Sequence, residues 1–105
     1  MDLNPVLVAL ANPKRQHILE SLKEPTRHYE PNGFGPEGVD VDMVTTGVCV
    51  AQVADHLNVS AATASQFLAQ LRDSGLLTSE RIGKYTYYRR NEKRIREAQE
   101  AFNSL

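Results

Sequence analysis

Between Val50 and Ser74 the apolar residues keep a helical spacing that is broken once, at Asn58-Val59-Ser60. Val50, Val53, Ala54 and Leu57 form one stripe before the break; Ala64, Phe67, Leu68 and Leu71 form another after it. A stripe at this spacing is the buried face of a helix. Two short helices must therefore lean on each other across a tight corner, with Val59 entering the core between them. Asn58 suits the end of the first helix. Ser60 suits the start of the second, because its hydroxyl can accept the otherwise unpaired amide of Thr63. Gly75 is the natural stop. The pattern predicts helices over 50–57 and 61–74.

Beyond this helix pair the chain changes character. Leu77 to Ile82 and Tyr85 to Arg89 are rich in Thr, Tyr and Ile, and Gly83-Lys84 between them fits a two-residue turn with Gly first. This is a β-hairpin. Asn91 then caps a terminal helix over 92–105, on which Ile95, Ala98, Phe102 and Leu105 share one stripe that must pack on the core or on a partner helix. Upstream, Asn4 and Pro5 open a helix over 3–11 with Val6, Leu7 and Leu10 on one face. Asn12-Pro13 opens another, to about Leu22, with Ile18, Leu19 and Leu22 inward and Lys14 and Arg15 in the exposed first turn. Residues 23–47 carry Pro25, Pro31, Gly33, Gly35, Pro36, Gly38 and Gly47, and no helix or long strand is expected to survive that punctuation. Val48-Cys49-Val50 is a short apolar run able to pair as a strand. At 105 residues the whole is expected to be one domain spanning 1–105. The expected fold is α+β and mostly α: a winged helix-turn-helix of about five helices with a two-stranded hairpin.

Charge divides the chain. Residues 1–59 hold four Lys/Arg against eight Asp/Glu, whereas residues 60–96 hold eight Lys/Arg against three acids, although the whole chain nets only -1. A localised basic segment is what a phosphate-binding surface needs. It coincides with a helix that opens on small and polar residues, Ser60, Ala61, Ala62, Thr63, Ser65 and Gln66. A helix end that enters a major groove about 12 Å wide must be slim, and Gln66 can donate and accept together as an adenine edge requires. Thr63 can offer its methyl to thymine or its hydroxyl to a base. Arg72, later on the helix, suits a phosphate or a partner within the protein. Arg81, Lys84, Thr86 and Tyr88 surround the hairpin tip and edges, so the hairpin reads as a wing along the DNA backbone or minor groove. Tyr85 and Tyr87 are candidates to anchor it to the core. Ser60, Ala62, Thr63, Ser65, Gln66, Arg72, Arg81, Lys84 and Tyr88 are thus the candidate DNA-binding residues.

Residues 49–90 resemble the ArsR/SmtB family of winged helix-turn-helix regulators. The resemblance rests on Val53-Ala54-Asp55-His56-Leu57, Val59-Ser60, the run Ser65 to Arg72, and Gly75-Leu76-Leu77. Ala9 to Arg15 with Ile18-Leu19 resembles the family's opening helices, and Arg81-Ile82-Gly83-Lys84 with Tyr85 to Tyr88 resembles its wing. The 25–46 loop is longer than the family usually carries. The resemblance implies a homodimeric repressor on an inverted-repeat operator in double-stranded DNA, with the first and last helices at the interface. Val6, Leu7, Leu10, Ile95, Ala98 and Phe102 would be its contacts.

The resemblance also implies metal release of DNA in many members, but the residues for the usual sites are missing. Cys49 stands where a cysteine pair would be, and a single thiolate makes neither a three-sulfur nor a tetrahedral zinc site. The stretch 92–105 has no histidine. His17 and His56 are expected to be surface or packed residues on helices. His28 sits with Glu30, Glu37, Asp40 and Asp42 at spacings that match no metal motif. No metal site and no cofactor are expected. No nucleophile–base pair, phosphate loop or paired catalytic carboxylates can be found, so an enzyme is not expected. Two rival readings stand beside the DNA regulator: a winged helix that binds protein, and a redox-responsive regulator switching through Cys49, which needs an exposed, electropositive thiolate. No stretch approaches the ~20 apolar residues of a membrane span. With a single cysteine and no secretory pattern, the cytoplasm is the expected compartment.

Overall fold

A computed structural model describes residues 1–31 and 41–105. The elements run α1 (Asn4–Leu10), α2 (Pro13–Ser21), α3 (Pro25–His28), β1 (Val48–Cys49), α4 (Val50–Leu57), α5 (Ala61–Asp73), β2 (Leu77–Ile82), β3 (Tyr85–Arg90) and α6 (Glu92–Asn103). The capping chemistry read from the sequence holds at three of its four sites. Asn12 Oδ1 accepts the amides of Lys14 and Arg15 at 2.9 and 3.1 Å, Ser60 Oγ accepts Thr63 N–H at 3.1 Å, and Asn91 Oδ1 accepts Arg94 N–H at 3.2 Å. At α1 the cap is different. Asn4 is already helical, and its amide donates to Asp2 Oδ1 at 2.9 Å.

Ile18, Val53, Ala64, Leu68 and Leu71 are fully buried and join α2, α4 and α5 into one core, to which Val6 and Ala9 of α1 and Ile95 and Ala98 of α6 also turn. The hairpin is one strand wider than expected. β1 pairs antiparallel with β3, Val48 opposite Tyr88 and Cys49 opposite Tyr87, giving the sheet order β1-β3-β2. Among the described residues there are six helices where about five were expected. The addition is α3, one turn long. Pro25 opens it with its ring-fixed φ, Arg27 pairs with Glu24 at 2.9 Å, and Tyr29 buries itself just beyond, its hydroxyl 2.7 Å from Ser21 Oγ. Two prolines, Pro25 and Pro31, leave just enough unbroken chain for such a turn.

Two side chains do structural work that the sequence hid. Gln52, 6% exposed, accepts the Cys49 amide at 2.9 Å and donates to the Glu30 carbonyl at 2.8 Å, so the long connection is tied to α4 on its near side. Arg15, expected in an exposed turn, donates to the carbonyls of Ala9 (2.7 Å) and Val8 (3.1 Å) at the end of α1 and to Gln70 Oε1 of α5 (2.8 Å), and lies 5.8 Å above the Phe67 ring. It donates to two carbonyls of one helix end, of which Val8 O also accepts Ala11 N–H, and stitches three helices. Arg15→Ala should lower stability by about 2 kcal/mol, since hydrogen bonds to charged groups are the stronger kind. Urea unfolding with an unchanged m-value and a reduced midpoint would show it.

Candidate nucleic-acid interface

The corner between α4 and α5 is built by Asn58, whose backbone adopts the left-handed conformation at φ 54° and turns the chain. Asn is one of the few side-chain-bearing residues that tolerates this. The turn points the first residues of α5 outward. Ala61, Ala62, Ser65 and Gln66 are exposed, while Ala64, Leu68 and Leu71 face the core. The slim, polar end is thus free on one side and held on the other. Ser60 and Thr63 are half-committed: Ser60 Oγ, besides accepting Thr63 N–H, donates to Thr63 Oγ1 at 3.0 Å. The Thr63 hydroxyl hydrogen and methyl remain to face a ligand.

The wing stands beside this end. Ala61 and Ser65 of α5 line one groove with Lys84, Tyr85 and Thr86 of the hairpin, and Cys49, Val50, Ala51 and Tyr88 complete its walls. Lys84 is exposed at the tip, and Arg81 folds its Nε toward the Gly83 carbonyl at 3.2 Å, bracing the turn. On the hairpin, Arg89 pairs with Glu80 at 3.2 Å. The basic face of the groove therefore rests on Lys84 and on the α5 N-terminus, whose free amides add partial positive charge.

Two expectations need correction, those for Tyr88 and for the interface residues of the first and last helices, and for Arg72 the alternative of a partner within the protein is the one seen. Tyr88 is 4% exposed, so it is a packing residue. It lies on the middle strand opposite Val48 and Ser79, and its side chain packs into the hydrophobic core. Tyr87 is the anchor that the sequence proposed, fully buried opposite Cys49. Arg72 lies about 16 Å of helix rise from Ala61 and pairs with Asp73 at 3.3 Å. That is the partner within the protein, away from the groove. The six apolar residues assigned to a dimer interface also split. Val6, Ile95 and Ala98 are buried in the chain's own core and Leu10 is half-buried, while Leu7 and Phe102 are exposed, together with Val8 and Leu105, which were not singled out for that interface. Periodicity marks an apolar stripe but cannot tell which edge of it meets the core.

The Cys49 thiol is 2% exposed in β1, at the start of α4. That is the setting of a packed thiol and lacks the exposure a redox switch requires. Of the acidic loop residues, Asp42 is spent on a turn, accepting from Val44 N–H at 2.9 Å and Thr45 N–H at 3.4 Å, whereas Glu37 and Asp40 lie outside the described residues.

Comparison with known proteins agrees with this geometry. The family model described as bacterial regulatory protein, arsR family, matches residues 48–79, from β1 through α4 and α5 into β2. The chain is 50% identical over 95 residues to YbzH of Bacillus subtilis (strain 168), described as an HTH-type transcriptional regulator, covering 90% of this chain and 89% of that one. Its fold is similar to that of an ArsR-like transcriptional regulator from Rhodococcus sp. RHA1, with a TM-score of 0.66 at 22% identity, covering 97% of this chain and 76% of the other. It is also similar to NolR from Sinorhizobium fredii, with a TM-score of 0.58 at 26% identity, covering 95% and 79%.

Proposed function

Since the chain belongs to the ArsR family of bacterial helix-turn-helix transcriptional regulators, we propose that it is a homodimeric repressor that reads an inverted-repeat operator in the cytoplasm. The observation that carries the DNA contact is the shared groove: the slim end of α5 and the cationic wing tip line the same cleft. A single phosphate strand lying there would meet Lys84 on one side and the α5 amides on the other, while Thr63, Ser65 and Gln66 reach base edges. Dimerisation is supported by apolar surface at both ends of the chain. Leu7 and Val8 on α1 are 43% and 67% exposed, and Phe102 and Leu105 at the other end are 53% and 88% exposed. Covering that surface with a second copy would set two recognition helices about 34 Å apart, one turn of B-DNA.

A gel shift on the protein's own upstream DNA, against a scrambled fragment and over rising salt, tests the reading. Specific binding that weakens steeply with salt is the expected outcome, because each phosphate contact releases a counterion. Gln66→Ala should cost about 1–3 kcal/mol on the specific fragment and little on the scrambled one. Absence of any shift at low salt on either fragment would transfer the groove to a protein partner.

A further inference from the structure

Three histidines on three different elements meet on one face of the molecule, away from the groove. His17 lies on α2, His28 closes α3, and His56 is in the last turn of α4. His17 Nε2 and His56 Nε2 are 2.8 Å apart, with the rings 11° from coplanar and their centroids 5.0 Å apart. That centroid distance is what two imidazoles give when they point nitrogens at each other, so the contact is head to head. The His28 ring stands at 82° to His17 and 72° to His56, with its centroid 6.4 and 6.1 Å from theirs. Tyr29 backs His56 at 4.8 Å, with its hydroxyl fixed to Ser21. Burial first, then the two neighbouring histidines, holds His56 below its ordinary range. All three imidazoles are exposed to solvent.

We propose that His17, His28 and His56 form a binding site for one divalent late first-row transition ion of the zinc, nickel or cobalt type. Imidazole nitrogens suit these ions. Two facing Nε2 atoms at 2.8 Å must share a proton, since two lone pairs at that distance would repel. A cation takes the place of that proton, which moves to Nδ1 of the same ring, so both rings stay neutral and no proton is released. In a closed tetrahedral site with metal–nitrogen bonds of about 2.05 Å, facing nitrogens stand about 3.3 Å apart and ring centroids about 5.2 Å apart. The His17–His56 pair therefore opens by about half an ångström and tilts, and the His28 ring closes by about 1 Å. Among the described residues no three such side chains are placed to hold an ion as they stand, so the proposed site requires the His28 ring to move in on binding. The set differs from both sites sought in the sequence, which required a cysteine pair or histidines on α6. Closure would tie α4, the first helix of the DNA-reading pair, to α2 and α3.

The test is zinc binding by the untagged chain in competition with a chromophoric chelator, with cobalt as a spectroscopic probe. The wild-type protein should take up one zinc per chain and show cobalt bands of four-coordinate intensity. His17→Gln or His56→Gln should weaken zinc binding at least 30-fold, and His28→Gln about 10-fold. These exposed positions should leave the circular dichroism spectrum and melting temperature of the metal-free protein unchanged. No uptake of one equivalent, uptake indifferent to His17→Gln and His56→Gln, or His28→Gln behaving as wild type would each overturn the three-histidine site. Because the readout is metal binding alone, it stands or falls separately from the gel shift.

Discussion

Gly47→Ala should remove a large share of the protein's stability. Gly47 is buried at φ +108°, a conformation that L side chains rarely adopt. An added Cβ would be driven into the Tyr88 carbonyl, with the Arg89 nitrogen at 3.1 Å behind it. These are backbone atoms of the central strand, and no side chain can swing aside to relieve the clash. Backbone strain of roughly 1–3 kcal/mol and an overpacking cost of roughly 1–3 kcal/mol together suggest a loss of about 4 kcal/mol. Against a total of about 5–15 kcal/mol for a domain of this size, that is a large share. Thermal unfolding followed by circular dichroism should show a midpoint about 20 °C lower, at roughly 4–8 °C per kcal/mol for small domains. A midpoint within a few degrees of wild type would mean that β1 and β3 separate freely, against the pairing of Val48 with Tyr88. Gly75, also at positive φ, is the milder site, since a Cβ there meets only the flexible Arg94 side chain.

Ala62→Glu should weaken DNA binding about a hundredfold while leaving the fold intact or slightly firmer. Ala62 is exposed in the first turn of α5, which carries no acidic residue. A carboxylate there complements the helix dipole and is worth about 0.3–1 kcal/mol to stability. In the proposed docking the same carboxylate faces phosphate. At about 6 Å and an effective dielectric near 20, the repulsion is about 3 kcal/mol, or roughly a hundredfold in affinity. The loss should appear on specific and scrambled fragments alike, unlike that of Gln66→Ala. Fluorescence anisotropy at fixed salt measures the binding, and a melting curve measures the fold. Unchanged affinity with an unchanged melt would remove the α5 N-terminus from the interface.

Much of this architecture was legible because it is local. The caps at Asn12, Ser60 and Asn91, the stop at Gly75 and the turn at Gly83-Lys84 each depend on a few neighbouring residues. What escaped was long-range. Arg15 looked like a solvated first-turn charge, because its acceptors are the carbonyls of Val8 and Ala9 and the side chain of Gln70, none of them marked by a sequence pattern. Tyr88 looked like a wing-edge residue because alternation along β3 predicts one exposed face, and the core residues that cover its side chain come from elements far away in the sequence. The three histidines stood 11 and 28 positions apart, and only the stacking of α2, α3 and α4 makes them neighbours. The same limit applied to the apolar stripes of the first and last helices, where the inward and outward halves carry the same residue types.

The pairing of β1 with β3 governs how the hairpin moves. β1 reaches only Tyr87 and Tyr88, so the hairpin is a beam clamped at its root and free at its tip. The overhang from Tyr87 to Gly83 is about 13 Å, so a 10° bend at the clamp carries the tip about 2 Å. The same clamp seats the start of the helix pair, since Cys49 both pairs with Tyr87 and is the N-cap of α4. In the proposed docking, Lys84 would follow the uneven path of a phosphate backbone while α5 keeps its angle. Tolerance for DNA shape would then lie with the free tip of the hairpin, and strictness about base sequence with the helix pair that begins at its root.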